Sequence, residues 1–418
     1  MRCSDAGASS RTAGKQAAAR VVVGLVGTSV ALGFAMTPAS ATAEAHNAAA
    51  AAGATSDAHK AAGAKHPHAC SLPGQQWTAT AHVDAAHTQQ FGDYGNSGVG
   101  WTGADSTYSV PLSNDRTAWL FSDTFWGPVN PDLSRPTTVP FLNNSFVIER
   151  DGTLTTVAGG TPDAPTSLVP PSEPDTWHWL GAGTTTGSSL DVMAMEFART
   201  GPEPLDFAWR ANHLARFDPA TLKLREVVSL PSGAGVQWAS WLQKQGSYTY
   251  IYGVEDGGAT KWMHLARVRS DDLTAMPWEY WTGTGWSATE TDSVRIMSGV
   301  ANEYSVTPFH DGYLLITHDT NEIFSRNILA YVSCSPAGPF TRAATVYQTP
   351  ETGAFGSYGN PNIITYNSHE HPDLRQGDRL LVTYNVNSLD PNADLYRDVT
   401  IYRPRFVEVD LTGTAQED

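Results

Sequence analysis

Short runs of alternating apolar and polar residues follow one another from about residue 77 to residue 410. Helical periodicity is nearly absent, and clusters of Gly, Pro, Asp and Asn, which favour turns, separate the runs. Examples are Thr117–Phe125, Ser189–Ala198, Tyr248–Val254, Tyr313–His318 and Arg379–Tyr384. These are more strands than one sandwich holds, and long all-β chains of this kind close into propellers or solenoids.

A weak repeat favours the propeller. In each repeat a strand that ends in a polar or acidic group is followed by a hairpin and then by an outer strand. Outer-strand turns contain proline, as in Asp218-Pro219, Ser335-Pro336 and Gly338-Pro339. We therefore predict an all-β, five-bladed β-propeller, with residues 77–100 helping to close the ring. The five segments are 101–160, 176–230, 233–287, 299–349 and 355–410.

The first segment begins with a predicted hairpin that carries two aspartates. Its strands, 100–112 and 118–127, are joined by a turn at 113–116, and Asp105 and Asp123 lie at the ends away from this turn. Neighbouring strands are about 4.8 Å apart, so the two carboxylates should lie within several ångströms of each other. Trp101, Phe125 and Trp126 occupy the same end of the hairpin.

The register of this hairpin stays open at the level of sequence. If Ser113 pairs with Arg116, Asp105 lies opposite Thr124 and the two aspartates point to opposite faces. One extra loop residue, or a bulge, would bring them to the same face. The alternative interpretation is that both aspartates are ordinary polar residues at strand ends.

Two carboxylic groups among aromatic rings are what glycoside cleavage requires. One group protonates the leaving oxygen and the other acts as base or nucleophile. The acid must keep its proton near neutral pH, which requires burial or a nearby like charge. We predict Asp105 and Asp123 as the catalytic pair, with Glu255 and Glu303 across the channel as substrate-binding or structural groups.

Polar side chains near aromatic residues recur in the other segments, and the chain has 13 tryptophans. Aromatic rings stack on sugar faces, although most of these tryptophans are expected to wedge between blades. No phosphate-binding loop, Gly-x-Ser-x-Gly elbow or His-Glu-x-x-His helix is present. The residues predicted to bind substrate are Asn144, His178, Trp179, Glu255, Glu303, His371, Tyr384 and Asn385.

The first 69 residues are predicted to lie outside the folded domain. Basic residues precede an apolar run at 21–36, and a small-residue cleavage site follows, so residues 1–41 are typical of a signal peptide. Residues 42–69 are rich in Ala and His and read as a flexible linker. The propeller then spans residues 70–418, and we expect a secreted, extracellular protein.

The charge balance limits the partners. The chain has a formal net charge of −16, and removing the basic leader makes it more acidic. Such a surface repels nucleic acids and anionic membranes, so we predict a neutral polysaccharide as partner. We expect a monomer, although no sequence feature sets the oligomeric state. Cys70 and Cys334 remain after cleavage, and their spacing leaves open whether they pair. No metal and no cofactor are predicted, because proton transfer and charge stabilisation lower the barrier for this chemistry.

The same motifs resemble a known family. GWTGADSTYSVPL and TAWLFSDTFWG are similar to the GADGTYSVPLPDGRTLWLFGDTF signature of secreted actinobacterial propeller proteins of the glycoside hydrolase family 183 and DUF4185/DUF5005 type. NEYSVTPFHDGYLLIT, SCSPAGPF and HEHPDLRQGDRLLVTYNVNS resemble later parts of that group. The chain departs from it at Ser106 and Ser122, where glycine is usual, and at 177–181.

The resemblance implies a five-bladed propeller and a catalytic pair at Asp105 and Asp123. Some members of the group are endo-D-arabinanases, so it also implies cleavage of the D-arabinan of actinobacterial cell walls. Fold membership does not settle the reaction. Two alternatives stay open: a carbohydrate-binding propeller without catalysis, and a hydrolase of another glycan such as a fructan or L-arabinan.

Overall fold

The computed structural model describes residues 70–203 and 206–415. The predicted signal peptide (1–41) and linker (42–69) lie outside the described residues. Within them, no helix is long and apolar enough to cross a membrane.

Twenty-five strands and two α-helices make up the described fold. The helices are α1 (Ala85–Asn96) and α2 (Pro391–Arg397), and short 3-10 turns lie at Leu72–Gly74, Glu290–Asp292 and Pro372–Leu374. The strands are β1 (Gln75–Val83), β2 (Trp101–Leu112), β3 (Arg116–Trp126), β4 (Phe141–Leu142), β5 (Ser145–Arg150), β6 (Thr153–Val157), β7 (Gly159–Thr161), β8 (Ala164–Thr166), β9 (Thr176–Thr186), β10 (Ser189–Arg199), β11 (Phe207–Phe217), β12 (Leu224–Ser229), β13 (Gln237–Gln245), β14 (Tyr248–Asp256), β15 (Lys261–Val268), β16 (Glu279–Trp281), β17 (Trp286–Ser287), β18 (Met297–Ser298), β19 (Tyr304–Phe309), β20 (Gly312–His318), β21 (Asn327–Ser333), β22 (Thr341–Gln348), β23 (Ile363–Glu370), β24 (Leu380–Ser388) and β25 (Pro404–Ala415).

Five antiparallel sheets form the blades, which confirms the predicted five-bladed β-propeller. Blade 1 is β2-β3-β5-β6, blade 2 is β9-β10-β11-β12, and blade 3 is β13-β14-β15-β16-β17. Blade 4 is β19-β20-β21-β22, and blade 5 is β23-β24-β25-β1. The innermost strands β2, β9, β13, β19 and β23 neighbour one another around the central channel.

The first strand of the domain closes the ring. β1 pairs antiparallel with β25 from Gln75–Ala415 to Val83–Val407, so the two ends of the described chain share blade 5. A disulfide between Cys70 and Cys334 ties the start of the domain to the end of β21 in blade 4. The predicted closing segment is thus a strand followed by a helix, α1.

The core lies between the blades and is rich in aromatic residues. Phe146 of blade 1 packs edge-on against Phe217 of blade 2, with ring centroids 4.9 Å apart. Phe91 of α1 is fully buried against Trp101 and Trp119, which seals the junction of blades 1 and 5. This packing agrees with the expectation that many tryptophans act as wedges.

Turn chemistry explains where the strands end. At the predicted outer turn of blade 2, the Asp218 carboxylate accepts hydrogen bonds from the main-chain amides of Ala220 and Thr221, at 3.0 and 2.8 Å. An aspartate that bonds the backbone two or three residues ahead favours a turn over a continued strand. Residues at or near the starts of the inner strands β2, β9, β13 and β19 line a single cavity.

Candidate active site

The hairpin of blade 1 places its two aspartates side by side. Leu112 pairs with Arg116, so the loop has three residues, and two of them, Asn114 and Asp115, have positive φ. Further along, two residues of β3, Ser122 and Asp123, face the single Asp105 of β2 between the pairs Ala104–Thr124 and Ser106–Phe121. The structure therefore has both features that could bring the two aspartates to the same face, namely the extra loop residue and the bulge.

Asp105 lies on the floor of a cavity of about 360 Å³ at the channel mouth. Its side chain is 5% exposed, and its Oδ2 accepts a hydrogen bond of 2.7 Å from the Tyr366 hydroxyl. The Tyr366 hydroxyl in turn accepts one of 3.1 Å from Asn387. Burial raises the pKa of Asp105 to about 6, against the lowering effect of the Tyr366 hydrogen bond. This carboxyl can therefore exist in both protonation states near neutral pH.

Asp123 is held directly behind the cavity wall. It is 1% exposed, and its Oδ1 accepts hydrogen bonds from the Trp179 indole at 2.8 Å and the Asn143 amide at 3.0 Å. Its main-chain amide is close enough to the Asp105 carboxyl to lower that pKa, and the Tyr402 phenol lies near both carboxylates. Asp123 thus fixes the Trp179 ring, which itself lines the cavity.

Glu303 supplies a second carboxyl to the cavity, from the residue just before β19. Its Oε1 accepts hydrogen bonds from Ser106 at 2.8 Å and from Asn367 at 2.9 Å. Its Oε2 has no hydrogen-bond partner among the described residues. Burial and the nearby Asp105 raise the pKa of Glu303 well above its ordinary value, against the lowering effect of the Ser106 hydrogen bond.

His369 lies beside Glu303 without forming an ion pair with it. Its Nε2 is 3.2 Å from the Thr107 carbonyl oxygen, which can only accept, so Nε2 carries the proton and Nδ1 does not. Burial lowers the pKa of His369 to about 4, so the ring is neutral at pH 7. Its Nδ1, 3.7 Å from Glu303, therefore offers no positive charge that would favour an ionised glutamate.

The two serines that depart from the family signature contact each other. Ser106 Oγ lies 2.8 Å from Ser122 Oγ and donates to Glu303. Ser106 has φ of 74°, a region that glycine adopts more easily. The serine at this position therefore adds a hydrogen bond to the buried glutamate that glycine would not provide.

One wall of the cavity is aromatic and comes from blade 2. Trp179 packs on Phe197 with ring centroids 4.3 Å apart and meets Phe207 at 5.3 Å. Trp209 and Met195 extend this wall. The remaining lining is mostly polar, as sugar binding requires; it includes Gln237, Asp256, Asn302 and Asn367.

Two predicted substrate-binding residues of blades 1 and 2 do not line the cavity. The Asn144 amide donates to the carbonyls of Val169 and His178, and its oxygen accepts from the Val169 amide. His178 is buried, with Nδ1 3.0 Å from the Pro170 carbonyl. The structure places both side chains where they hold the loop before β9.

Three predicted residues of blade 5 also lie away from the cavity lining. His371 contacts Ser109 and Thr383 at 2.7 and 2.8 Å, farther along the channel. The Tyr384 hydroxyl donates to Glu351 at 2.9 Å, and the Asn385 amide donates to Thr107 at 2.9 Å. All three side chains are buried: His371, Tyr384 and Asn385. These three residues therefore bind neighbouring side chains and do not form the surface of the cavity.

Glu255 points away from the cavity, whereas its neighbour Asp256 lines it. The Glu255 carboxylate pairs with Arg295 and contacts His264 at 3.2 Å. Asp256 accepts a hydrogen bond of 2.8 Å from Asn302 and pairs with the buried Lys261. Successive residues of a strand point to opposite faces, so only Asp256 of these two neighbours faces the cavity.

Sequence reasoning missed the residues that blade 5 contributes. Tyr366 and Asn367 reach the two cavity carboxyls from the middle of β23. Asn367 has φ of 57°, so the strand is locally irregular there. The sequence feature that could have identified them is the Tyr-Asn pair itself, in the middle of the last inner strand. Among the described residues, no group of three or more His, Cys, Asp or Glu side chains is arranged to hold a metal ion.

Taken together, the cavity holds two buried carboxyls in different environments. Burial and the nearby Asp105 raise the pKa of Glu303 well above its ordinary value, while burial raises the pKa of Asp105 to about 6. Carboxyl pairs whose environments separate their pKa values can divide the roles of acid and base. The aromatic wall beside them offers a stacking surface for an uncharged, ring-shaped ligand.

Comparison with solved structures supports the fold. A proposed hydrolase from Bacteroides ovatus superimposes with a TM-score of 0.66 at 19% identity, covering 83% of this chain and 97% of that one. Lower scores relate the chain to an α-L-arabinofuranosidase from Podospora anserina (TM-score 0.44, 12% identity, 81% and 98% covered). They also relate it to a family 117 glycoside hydrolase from Zobellia galactanivorans (TM-score 0.42, 11% identity, 83% and 93% covered). At these identities the likeness concerns the fold alone.

Comparison by sequence gives the family. Curated proteins include no match to this chain. The sequence profile described as Domain of unknown function (DUF5005) matches residues 88–411, which span all five blades except the closing strand β1 and the last residues of β25. Because this match covers well over half of the sequence, the protein belongs to the DUF5005 family.

Proposed function

We propose that the protein is a glycoside hydrolase that cleaves a furanoside polysaccharide, with D-arabinan of actinobacterial cell walls as its substrate. One observation carries this proposal. A buried carboxyl whose pKa burial raises to about 6, Asp105, shares a cavity with a second buried carboxyl, Glu303, whose pKa is raised well above its ordinary value, beside an aromatic wall. Glycosidic cleavage needs such a pair of carboxyls with separated pKa values.

The proposed reaction uses each carboxyl in the protonation state that its environment favours. Glu303 donates its proton to the glycosidic oxygen as the bond between that oxygen and the anomeric carbon breaks. The Asp105 carboxylate faces the positive charge that develops on the sugar, and either activates water or attacks the anomeric carbon. The Tyr366 hydroxyl, 2.7 Å from Asp105, holds this carboxylate in place.

Asp123 is the second candidate for the proton donor, because the family resemblance pairs it with Asp105. Its hydrogen bonds from Trp179 and Asn143 favour a positioning role. In this proposal Asp123 therefore orients Trp179.

Charge and surface chemistry support a neutral glycan as substrate. The formal net charge of −16 disfavours polyanions. The cavity offers amide and carboxylate groups for sugar hydroxyls, and aromatic rings for sugar faces. D-arabinan is the choice that the family resemblance implies, and fructan and L-arabinan are the competing furanosides.

We also propose that the protein is exported and acts as a monomer outside the cell. The basic leader and apolar run before residue 41 support export. The disulfide between Cys70 and Cys334 supports an oxidising location, because such bonds persist there.

The test measures sugar release from mycobacterial arabinogalactan, with fructan and L-arabinan alongside. Wild-type protein is compared with Asp105→Asn, Glu303→Gln and Asp123→Asn, and with Asp151→Asn as a matched exposed control. We expect release by wild type and by the control, and at least about a hundredfold loss for Asp105→Asn and Glu303→Gln, as for removal of a general acid or base. Binding without release by the wild type would support the carbohydrate-binding propeller instead.

A further inference from the structure

A second cavity, of about 100 Å³, adjoins the candidate active site between blades 4 and 5. Gly258, Asn302 and Asn367 line both cavities, so the two are direct neighbours. Tyr366 lines the second cavity while its hydroxyl donates to Asp105 in the first. Whatever occupies the second cavity therefore lies one side chain away from the reacting carboxyls.

The outer rim of this cavity is apolar and exposed. Ile323 is 60% exposed and Phe324 is 40% exposed, and both lie in the loop between β20 and β21. Phe324 also has φ of 53°, which is unfavourable for a residue with a Cβ atom. Because Phe324 is exposed, burial in the core does not offset the cost of this backbone conformation. This indicates a role for the ring at the surface.

The composition of the second cavity suits a sugar ring. Phe324 and Ile323 provide an apolar face, while Asp319, Thr320 and Glu322 provide oxygen atoms that accept hydrogen bonds from hydroxyls. Among the described residues that line it, Lys261 carries a positive charge, and its ammonium is paired with Asp256. An anionic ligand is therefore disfavoured, and a neutral polyol is favoured.

The two cavities present different apolar surfaces near the carboxyls. The first has the aromatic wall of blade 2, with Trp179, Phe207 and Trp209, and the second has the rim formed by Ile323 and Phe324, which belongs to blade 4. We propose that the second cavity is a subsite for a further sugar unit of the same polysaccharide chain, so that the substrate crosses Asp105 and Glu303 with units bound on both sides. This inference rests on the proposed function.

The test varies the length of the ligand. Binding of D-arabinofuranose oligosaccharides of increasing length is measured by calorimetry, using Asp105→Asn protein so that the ligands stay intact. Phe324→Ala removes the ring, and Phe324→Asn removes it with a residue that tolerates the backbone of this position. Phe355→Ala is the matched control, since Phe355 is fully exposed and lines neither cavity.

We expect both Phe324 variants to weaken binding of long oligosaccharides by roughly three- to tenfold, the effect of losing one aromatic stacking contact. The difference from the parent protein should grow with ligand length, because only longer chains reach the second cavity. The control should bind like the parent at every length.

Two results would overturn the inference, and they are distinguishable. If the wild type releases oligosaccharides from arabinan but both Phe324 variants bind every length like the parent, the subsite is absent while the proposed function stands. If the wild type neither binds nor cleaves any furanoside polymer, the proposed function fails and the subsite fails with it.

Discussion

Replacing Asp105 by asparagine should stabilise the protein while it abolishes turnover. The side chain is 5% exposed, and burial raises its pKa to about 6. An aspartate in an unfolded chain has a pKa of about 3.9, so the difference is about two pK units. At about 1.36 kcal/mol per unit, ionised Asp105 destabilises the folded state by about 3 kcal/mol.

The stability penalty of ionised Asp105 depends on pH. Because the folded pKa is the higher one, the folded state binds the proton more tightly than the unfolded state. The penalty is therefore absent below about pH 4, grows between about pH 4 and 6, and is complete above about pH 6. Asparagine carries no charge and can still accept the Tyr366 hydrogen bond, so it removes the penalty.

The assay is denaturant unfolding of wild type and Asp105→Asn at pH 4 and at pH 7.5. We expect the variant to be more stable by about 3 kcal/mol at pH 7.5, and by much less at pH 4. Asp151→Asn, at an exposed position with positive φ, is the control and should change stability by less than about 0.5 kcal/mol. A gain that is equal at both pH values, or no gain at pH 7.5, would refute the burial argument.

Three further outcomes follow from single contacts. Tyr366→Phe removes a hydrogen bond that lowers the pKa of Asp105, so the acidic limb of the kcat/KM profile should move to higher pH. Trp179→Phe keeps an aromatic ring but loses the hydrogen bond to Asp123. Its kcat, measured at saturating substrate, should fall by about tenfold. An unchanged kcat would contradict the positioning role assigned to Asp123. Cys334→Ser breaks the disulfide and should destabilise the protein by about 2–5 kcal/mol in denaturant unfolding, with kcat retained in the folded fraction.

The blade boundaries were predictable because local signals set them. Alternating strands between Gly, Pro, Asp and Asn clusters gave segments that match the observed sheets to within a few residues. The hairpin register was not predictable, since it depends on whether Asn114 and Asp115 adopt positive φ and on the irregular backbone at Ser106 and Thr107. These are choices that tertiary packing makes.

Residues of the candidate site were predictable only where they lie in a local sequence motif. Asp105, Trp179 and Glu303 came from local sequence features and line the cavity, although Glu303 was predicted as a substrate-binding or structural residue. Tyr366, which is 261 residues away from Asp105 in sequence, becomes its neighbour only when blade 5 closes against blade 1. Polar residues of blade 5 such as Tyr384 were attractive candidates, but they satisfy buried partners inside the blade. A single sequence does not show which face of a strand a polar residue occupies when both faces are buried.

The most direct test of the central claim is the rate of oligosaccharide release from arabinogalactan by the folded wild type and by Asp105→Asn. We expect measurable release by the wild type and a loss of at least about a hundredfold in the variant, whose stability at neutral pH should be equal or higher. Undiminished release by Asp105→Asn would contradict the claim that this buried carboxyl performs the reaction.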